Sequence, residues 1–284
     1  MILQDTFKLN NGVEIPKIGL GTWFISNDDV VEAVKEAVKL GYRHIDTAQA
    51  YQNEAGVGEG IKACGVNRDE LFITTKLAAE VKSYDEAVAS IDSSLKVMGL
   101  EYLDLMIIHS PKPWMEYGEE DRYFEGNREA WRALEDAYKA GKLKAIGVSN
   151  FLKEDLDNIL EVATVKPMIN QVLAHISNTP FDLIEYCEQQ EILIEAYSPI
   201  GHGELFKNEQ IAKMAEKYNV SVPQLSIRYC LELGLLPLPK TANPAHMENN
   251  AALDFEISAE DIETLKNMEQ IKDYGEASMF PVYQ

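Results

Sequence analysis

At 284 residues the chain is ordinary in length for one α/β barrel and long for one β-sandwich. Hydrophobic residues make up 46% and charged residues 26%, the balance of a soluble globular protein that needs neither disulfides nor a metal for stability. A net charge of -21 argues against nucleic acid, whose binding needs clustered Lys and Arg, and obliges any anionic ligand to find a locally basic site.

The opening stretch MILQDTFKLNNG has no basic region followed by an apolar core, so no secretory signal is expected. No uncharged apolar run reaches the roughly 18 residues of a membrane span. Cys64, Cys187 and Cys230 are odd in number and widely spaced, which reads as reduced thiols in a cytoplasmic protein. The segment FKLNNGVEIP predicts a two-stranded hairpin with an Asn-Gly turn, placed to plug the N-terminal mouth of whatever follows.

Eight short apolar runs then alternate with helical periods: 17–21, 42–46, 71–75, 103–108, 144–148, 168–171, 192–196 and 235–238. Asp28, Ser83 and Thr179 or Pro180 stand where helices are expected to start, and Gly41, Gly99 and Gly141 where they stop. This alternation predicts a single-domain (β/α)8 TIM barrel over 1–284, with an open doubly wound sheet as the alternative on count alone. The tail from about Met268 to Gln284 lacks a period and is expected to lie over the surface. The stretch GVGEG at 56–60 imitates a phosphate loop, but it is not GxGxxG and follows no strand directly, so it reads as exterior helix.

Polar residues follow each apolar run: Thr22-Trp23, Asp46, Lys76, His109, Ser149-Asn150, Gln171, Tyr197-Ser198 and Lys240. In a barrel the C-terminal strand ends share one mouth, where active sites form. Lys76 beside Tyr51 would lower the phenol pKa and improve it as a proton donor, with Asp46 as the carboxylate partner of the buried lysine. His109 could orient a carbonyl oxygen by hydrogen bonding. This set suits carbonyl reduction, and it lacks the Ser or Cys nucleophile of a hydrolase. Taken singly, Asp46 reads equally well as a helix cap, whereas Tyr51 alone reads more often as a packed aromatic and His109 alone more often as a satisfied core histidine. Lys76 as a Schiff-base lysine of an aldolase is the rival chemistry. His44, His175 and His202 make no metal spacing, so no metal is expected.

In order along the chain, GLGTW (19–23), RHIDTAQAYQNE (43–54), the strand ending in Lys76, LDLMIIHSP (103–111), IGVSNF (146–151), INQ (169–171), AYSPIG (196–201) and LPKT (238–241) resemble the motifs of the aldo-keto reductase family. The resemblance covers nearly the whole chain. It implies NADPH-dependent reduction of a small-molecule aldehyde or ketone by a catalytic tetrad of Asp46, Tyr51, Lys76 and His109, in a protein that is monomeric or weakly homo-oligomeric. It also implies that Ser149, Asn150 and Gln171 hold the nicotinamide carboxamide and that Tyr197 stacks on its ring. Ser198 through Gly201 would line the pyrophosphate, with Lys240 and Thr241 at the 2′-phosphate. Thr22, Trp23, His246, Asn249 and Asn250 complete the implied cofactor contacts, and Trp23 and His109 face the substrate.

Three positions depart from the family pattern. His246 replaces the usual Arg, which weakens the preference for NADPH and leaves NADH as a secondary donor. Asn249 stands where many members carry Glu. Ser110 follows the tetrad histidine where many members place Trp, and Trp114 is the candidate to replace that wall, with loop packing as its alternative.

Overall fold

The computed structural model describes residues 2–283, so Met1 and the last residue of the anticipated tail, Gln284, lie outside it. Strands β1 (Thr6–Lys8) and β2 (Glu14–Pro16) form the anticipated antiparallel hairpin, pairing Phe7 with Ile15. Gly12 makes the turn with φ at +89°, a left-handed conformation that costs glycine little. Asn10 Nδ2 donates to Pro167 O (2.9 Å) and Asn11 Nδ2 to Lys144 O (3.0 Å), both just ahead of barrel strands. With Ile15 fully buried, the hairpin stoppers the N-terminal end of the barrel.

Eight parallel strands follow: β3 (Leu20–Gly21), β4 (His44–Asp46), β5 (Phe72–Leu77), β6 (Leu105–Ile108), β7 (Ile146–Ser149), β8 (Ile169–Leu173), β9 (Leu193–Tyr197) and β10 (Leu236–Leu238). They pair consecutively from β3 to β10. A parallel bridge between Gly21 and Lys240, with Gly19 N donating to Pro237 O (3.3 Å) and Gly21 N to Pro239 O (3.0 Å), brings the first strand against the last and closes the ring. The open-sheet alternative is thereby removed.

Several strands end later than their apolar runs, so Lys76, Ser149 and Tyr197 belong to strands instead of following them, and Gln171 lies in the middle of β8. A polar side chain can stay in a buried ladder when its neighbours across the barrel satisfy it. Between strands run α1 (Asn27–Leu40), α2 (Glu54–Ala63), α3 (Tyr84–Met98), α4 (Phe124–Lys139), α5 (Lys153–Leu160), α6 (Phe181–Gln189), α7 (Glu209–Lys217), α8 (Val222–Glu232), α9 (Pro244–Ala251) and α10 (Ala259–Lys266). Ser83 and Pro180 are helix caps as anticipated, and Gly41 and Gly99 close their helices in the left-handed region. Asp28 is not the start of α1. Ser26 is, because its hydroxyl accepts from Asp29 N (3.1 Å), leaving Asp28 in the first turn where the helix dipole favours it.

The glycines of 56–60 lie in α2 and make its packing possible. A Cβ on Gly56 would stand 2.0 Å from Asn27 O, and one on Gly58 2.2 Å from Met98 O. Both obstacles are backbone, so α2 rests directly on α1 and on the end of α3. Gly58→Ala is expected to cost about 1–3 kcal/mol through overpacking and to lower Tm by several degrees. Gly118→Ala, with nothing within 4 Å of the added methyl, should leave Tm unmoved. Equal thermal melts for the two variants would show that this packing does not constrain α2.

Candidate active site

Asp46 ends β4, Lys76 lies near the end of β5, His109 follows β6, and Tyr51 sits in a short 3-10 turn, Gln49–Tyr51, after β4. The fully buried Lys76 ammonium makes three contacts: Asp46 Oδ2 at 2.6 Å, Thr47 O at 2.9 Å and the Tyr51 hydroxyl at 3.1 Å. An ammonium has three hydrogens and no lone pair, so each contact takes one and the Tyr51 oxygen is an acceptor from Lys76. The phenolic hydrogen is therefore left to point elsewhere. Asp46 accepts from Lys76 and from Gln171 Nε2 (2.9 Å) and caps no helix.

The Tyr51 ring meets His109 edge-on at 5.7 Å, and Trp114 also meets His109 edge-on, at 5.1 Å and 88°. Trp114 thus lies against the imidazole beyond Ser110, whose own hydroxyl accepts from Lys112 N (3.2 Å). Trp23 stands 6.4 Å from Tyr51 across the mouth.

The electrostatics differ from expectation at one point. Burial raises the Tyr51 pKa, and although Lys76 pulls it down, the net direction is upward. Desolvation penalises the phenolate more than one already-paired ammonium rewards it. Burial also opposes the charge on Lys76, but Asp46 and Tyr51 outweigh it and hold the lysine above its ordinary value. Lys76 is thus a charged donor with no free amine, which removes the support for a Schiff base. Burial, helped by Lys76, pushes His109 well below its usual value, so the imidazole is neutral around pH 7. Its Nδ1 is buried without a hydrogen-bond partner among the described residues.

Further round the mouth, Ser149 Oγ donates to Gln171 O (2.8 Å), and Asn150 Nδ2 donates to His109 O (3.1 Å). The Tyr197 hydroxyl donates to Asn150 Oδ1 (2.8 Å). Neither Ser149 nor Asn150 caps the next helix, which starts after Leu152. Thr22 donates its hydroxyl to Asp46 O (2.9 Å) and ties β3 to β4. Past β9 the backbone is contorted: Ser198, Gly201 and His202 have φ of 49°, 57° and 53°.

The remaining anticipated residues lie apart from the tetrad. Lys240 is exposed next to β10 and pairs with no carboxylate among the described residues. The Thr241 hydroxyl accepts from Asn243 N (3.0 Å), and Asn249 donates to Ser221 Oγ (2.9 Å). His246 is exposed on α9, where Asn250 is buried. No group of three or more His, Cys, Asp and Glu among the described residues could hold a metal ion, and no helix there is long and apolar enough to cross a membrane.

Two participants escaped the sequence reading. Tyr283, in the tail, is buried in the mouth: its ring stacks at 6.3 Å on Trp23 and its hydroxyl lies 2.8 Å from Ser198 Oγ. The tail therefore crosses the surface and brings Tyr283 into the site. Glu195 on β9 is fully buried beneath the tetrad. Its one sequence signal is an acid in the middle of the apolar run ILIEA.

The model of the Aldo/keto reductase family matches residues 17–270. The chain belongs to the aldo/keto reductase family. It is 45% identical over 265 residues to the glyoxal reductase of Bacillus subtilis, covering 93% of this chain and 92% of that one. The glycerol 2-dehydrogenase (NADP(+)) of Saccharomyces cerevisiae is 38% identical, with 95% and 93% covered. Among solved structures, the Bombyx mori aldo-keto reductase in complex with NADP superposes with a TM-score of 0.85 at 33% identity, covering 98% of each chain.

The buried, neutral His109 of this aldo/keto reductase should be silent to pH. In a histidine side-chain NMR titration from about pH 5 to about pH 8, its resonances are expected to stay put, as are those of His44, which burial depresses to about 3. A His109 titration with an ordinary midpoint would mean that water reaches the imidazole.

Proposed function

We propose that this protein reduces aldehydes or ketones to alcohols with NADPH, and that Tyr51 is the proton donor. The observation that carries the reading is the commitment of all three Lys76 hydrogens, one of them to the Tyr51 oxygen. The phenol can then give its own hydrogen to a substrate oxygen, and the phenolate that results rests on an ammonium already in place. Neutral His109, 5.7 Å from the Tyr51 ring, is positioned to hydrogen-bond the same oxygen and fix its approach. Trp23 and Trp114 would wall the substrate on either side.

The chemistry of the mouth fits the cofactor. NADPH when bound supplies the hydride for the carbonyl carbon. Tyr197 offers a ring face for the nicotinamide, and Asn150 and Gln171 offer amides for its carboxamide, beside Ser149. The strained backbone from Ser198 to Gly201 lies where the pyrophosphate would run. Exposed Lys240, paired with no carboxylate among the described residues, answers the repulsion that a net charge of -21 sets up against a 2′-phosphate, with Thr241 and α9 residues His246, Asn249 and Asn250 near the adenosine. The NADP in the Bombyx mori relative and the NADP(+) in the name of the yeast relative support the same choice. With His in place of a guanidinium at 246, NADH is accepted as a weaker donor. The glyoxal reductase relative makes small dicarbonyls the first substrates to try.

Tyr51→Phe should cut turnover of a good aldehyde by about 100-fold or more while NADPH still quenches the protein fluorescence with unchanged Kd. Wild-type turnover from this variant would rule out the mechanism. For Lys240→Ala, the KM for NADPH is expected to rise about tenfold, the loss of one charge-assisted contact, with the KM for NADH little changed. Equal effects on both nucleotides would remove Lys240 from the 2′-phosphate.

A further inference from the structure

Glu195 lies in the middle of β9 with its side chain wholly buried, and neither the tetrad nor the cofactor contacts above use it. It is two residues before Tyr197, so the two side chains share one face of the strand, about 7 Å apart along it. Glu195 thus stands one layer below the ring proposed to carry the nicotinamide. Its Oε2 accepts from Gln171 Nε2 at 2.8 Å, and the same nitrogen donates to Asp46 Oδ1 at 2.9 Å. One amide nitrogen, with two hydrogens, therefore joins two buried carboxyl groups.

The charges in this layer do not balance if both carboxyls are ionised. Lys76 on β5 is the cation, and its hydrogens go to Asp46, Thr47 and Tyr51. His44 on β4 has its Nε2 3.9 Å from Glu195 Oε1, but burial and Lys76 keep that ring neutral, and its Nε2 pairs with Thr74 Oγ1 at 3.0 Å. On β8 Glu195 meets the neutral Gln171 amide, on β10 its register partner is Leu236, and its other oxygen has no hydrogen-bond partner among the described residues. Asp46, Lys76 and His44 are thus the charged or titratable groups around it, with Tyr197 above. Burial, then Asp46, raise the Glu195 pKa to about 8. Near neutral pH the carboxyl holds a proton.

We propose that Glu195 is a positioning residue that responds to the oxidation state of the cofactor: it holds Gln171 and Asp46 in place and keeps or loses a proton according to the charge on the nicotinamide above it. This rests on the reading that the nicotinamide lies on Tyr197 beside Gln171. The dihydronicotinamide ring of NADPH is neutral, and the oxidised nicotinamide ring of NADP+ is a cationic pyridinium. A cation in a dry site favours a carboxylate beneath it. NADP+ therefore lowers the Glu195 pKa and releases a proton on binding, whereas NADPH does not. By linkage, the affinity for NADP+ rises with pH between the lowered pKa and the free value of about 8 and levels off above it, while that for NADPH shows no such rise. Around neutral pH the protonated Glu195 withholds extra affinity from NADP+, which suits an enzyme working in the reducing direction. The phosphates are common to both nucleotides and cancel in the ratio.

The test is the Kd of each nucleotide, from protein fluorescence quenching between about pH 6 and about pH 9, in wild type, Tyr51→Phe and Glu195→Gln. The glutamine keeps an oxygen to accept from Gln171 but cannot ionise. The ratio Kd(NADPH)/Kd(NADP+) should climb at least about tenfold across that range in wild type and Tyr51→Phe, and stay flat in Glu195→Gln. A flat wild-type ratio overturns the proposal, and so does a slope that survives Glu195→Gln but vanishes in Tyr51→Phe. Failure of both nucleotides to bind overturns the cofactor reading and this proposal with it. Should Glu195→Gln not fold, calorimetry of Tyr51→Phe near about pH 8 in two buffers of different ionisation enthalpy decides. Proton release with NADP+ alone supports the role of Glu195, and equal release with both nucleotides overturns it.

Discussion

A lysine ammonium with no exposure to water is the constraint around which this barrel mouth is organised. Removing such a charge from water costs several kcal/mol, and the cost is tolerable only if every hydrogen finds an acceptor. Asp46, the Thr47 carbonyl and Tyr51 provide those acceptors. The arrangement needs β4 and β5 adjacent in parallel register, with Asp46 opposite Thr74 and Lys76 two residues further on. It also needs the chain after β4 to turn sharply enough to bring Tyr51 back over the lysine. Gln49 secures that turn: its amide donates to Ser94 Oγ (2.9 Å) and Ser90 O (3.1 Å) on α3 and accepts from Ala78 N (2.8 Å).

The same economy of polar atoms continues outward. Gln171 links Asp46 to Glu195, and Asn150 links His109 to Tyr197. The mouth is one hydrogen-bonded ring drawn from β4 round to β9. A ring so connected is rigid, and rigidity suits a site whose donors must be aimed before charge develops on the substrate. The contorted loop after β9, with Ser198 and His202 in a left-handed conformation, is the strained part of this wall, and the tail covers it through Tyr283.

The aldo/keto reductase fold and the polar groups that meet around Lys76 were legible in the sequence, for a physical reason. Parallel strands buried on both faces read as apolar runs, and a charged residue at the end of one, such as Asp46 or Lys76, is conspicuous against them. The hairpin was legible because Asn11-Gly12 is a turn with few other uses. By contrast, the sequence places the start of α1 at Asp28 because Ser26 and Asp28 both satisfy the local rule, and only the bond from Asp29 N to Ser26 separates them. The glycines of α2 carried a signal of close packing, but which backbone they pack on is a fact of three dimensions.

The amino-acid sequence by itself determined the strand–helix alternation and the types of side chain that stand at the strand ends, because period and residue chemistry are local properties; the meeting of Gly21 with Lys240 that closes the ring is a contact between the two ends of the sheet. The tertiary structure alone decided how the charges settle. Burial outweighs Lys76 at Tyr51, His109 is neutral, Glu195 joins Asp46 through a shared amide, and a tyrosine from the far end of the chain closes over Ser198. Each of these depends on desolvation and on contacts between residues far apart along the chain, which no local pattern of residues encodes.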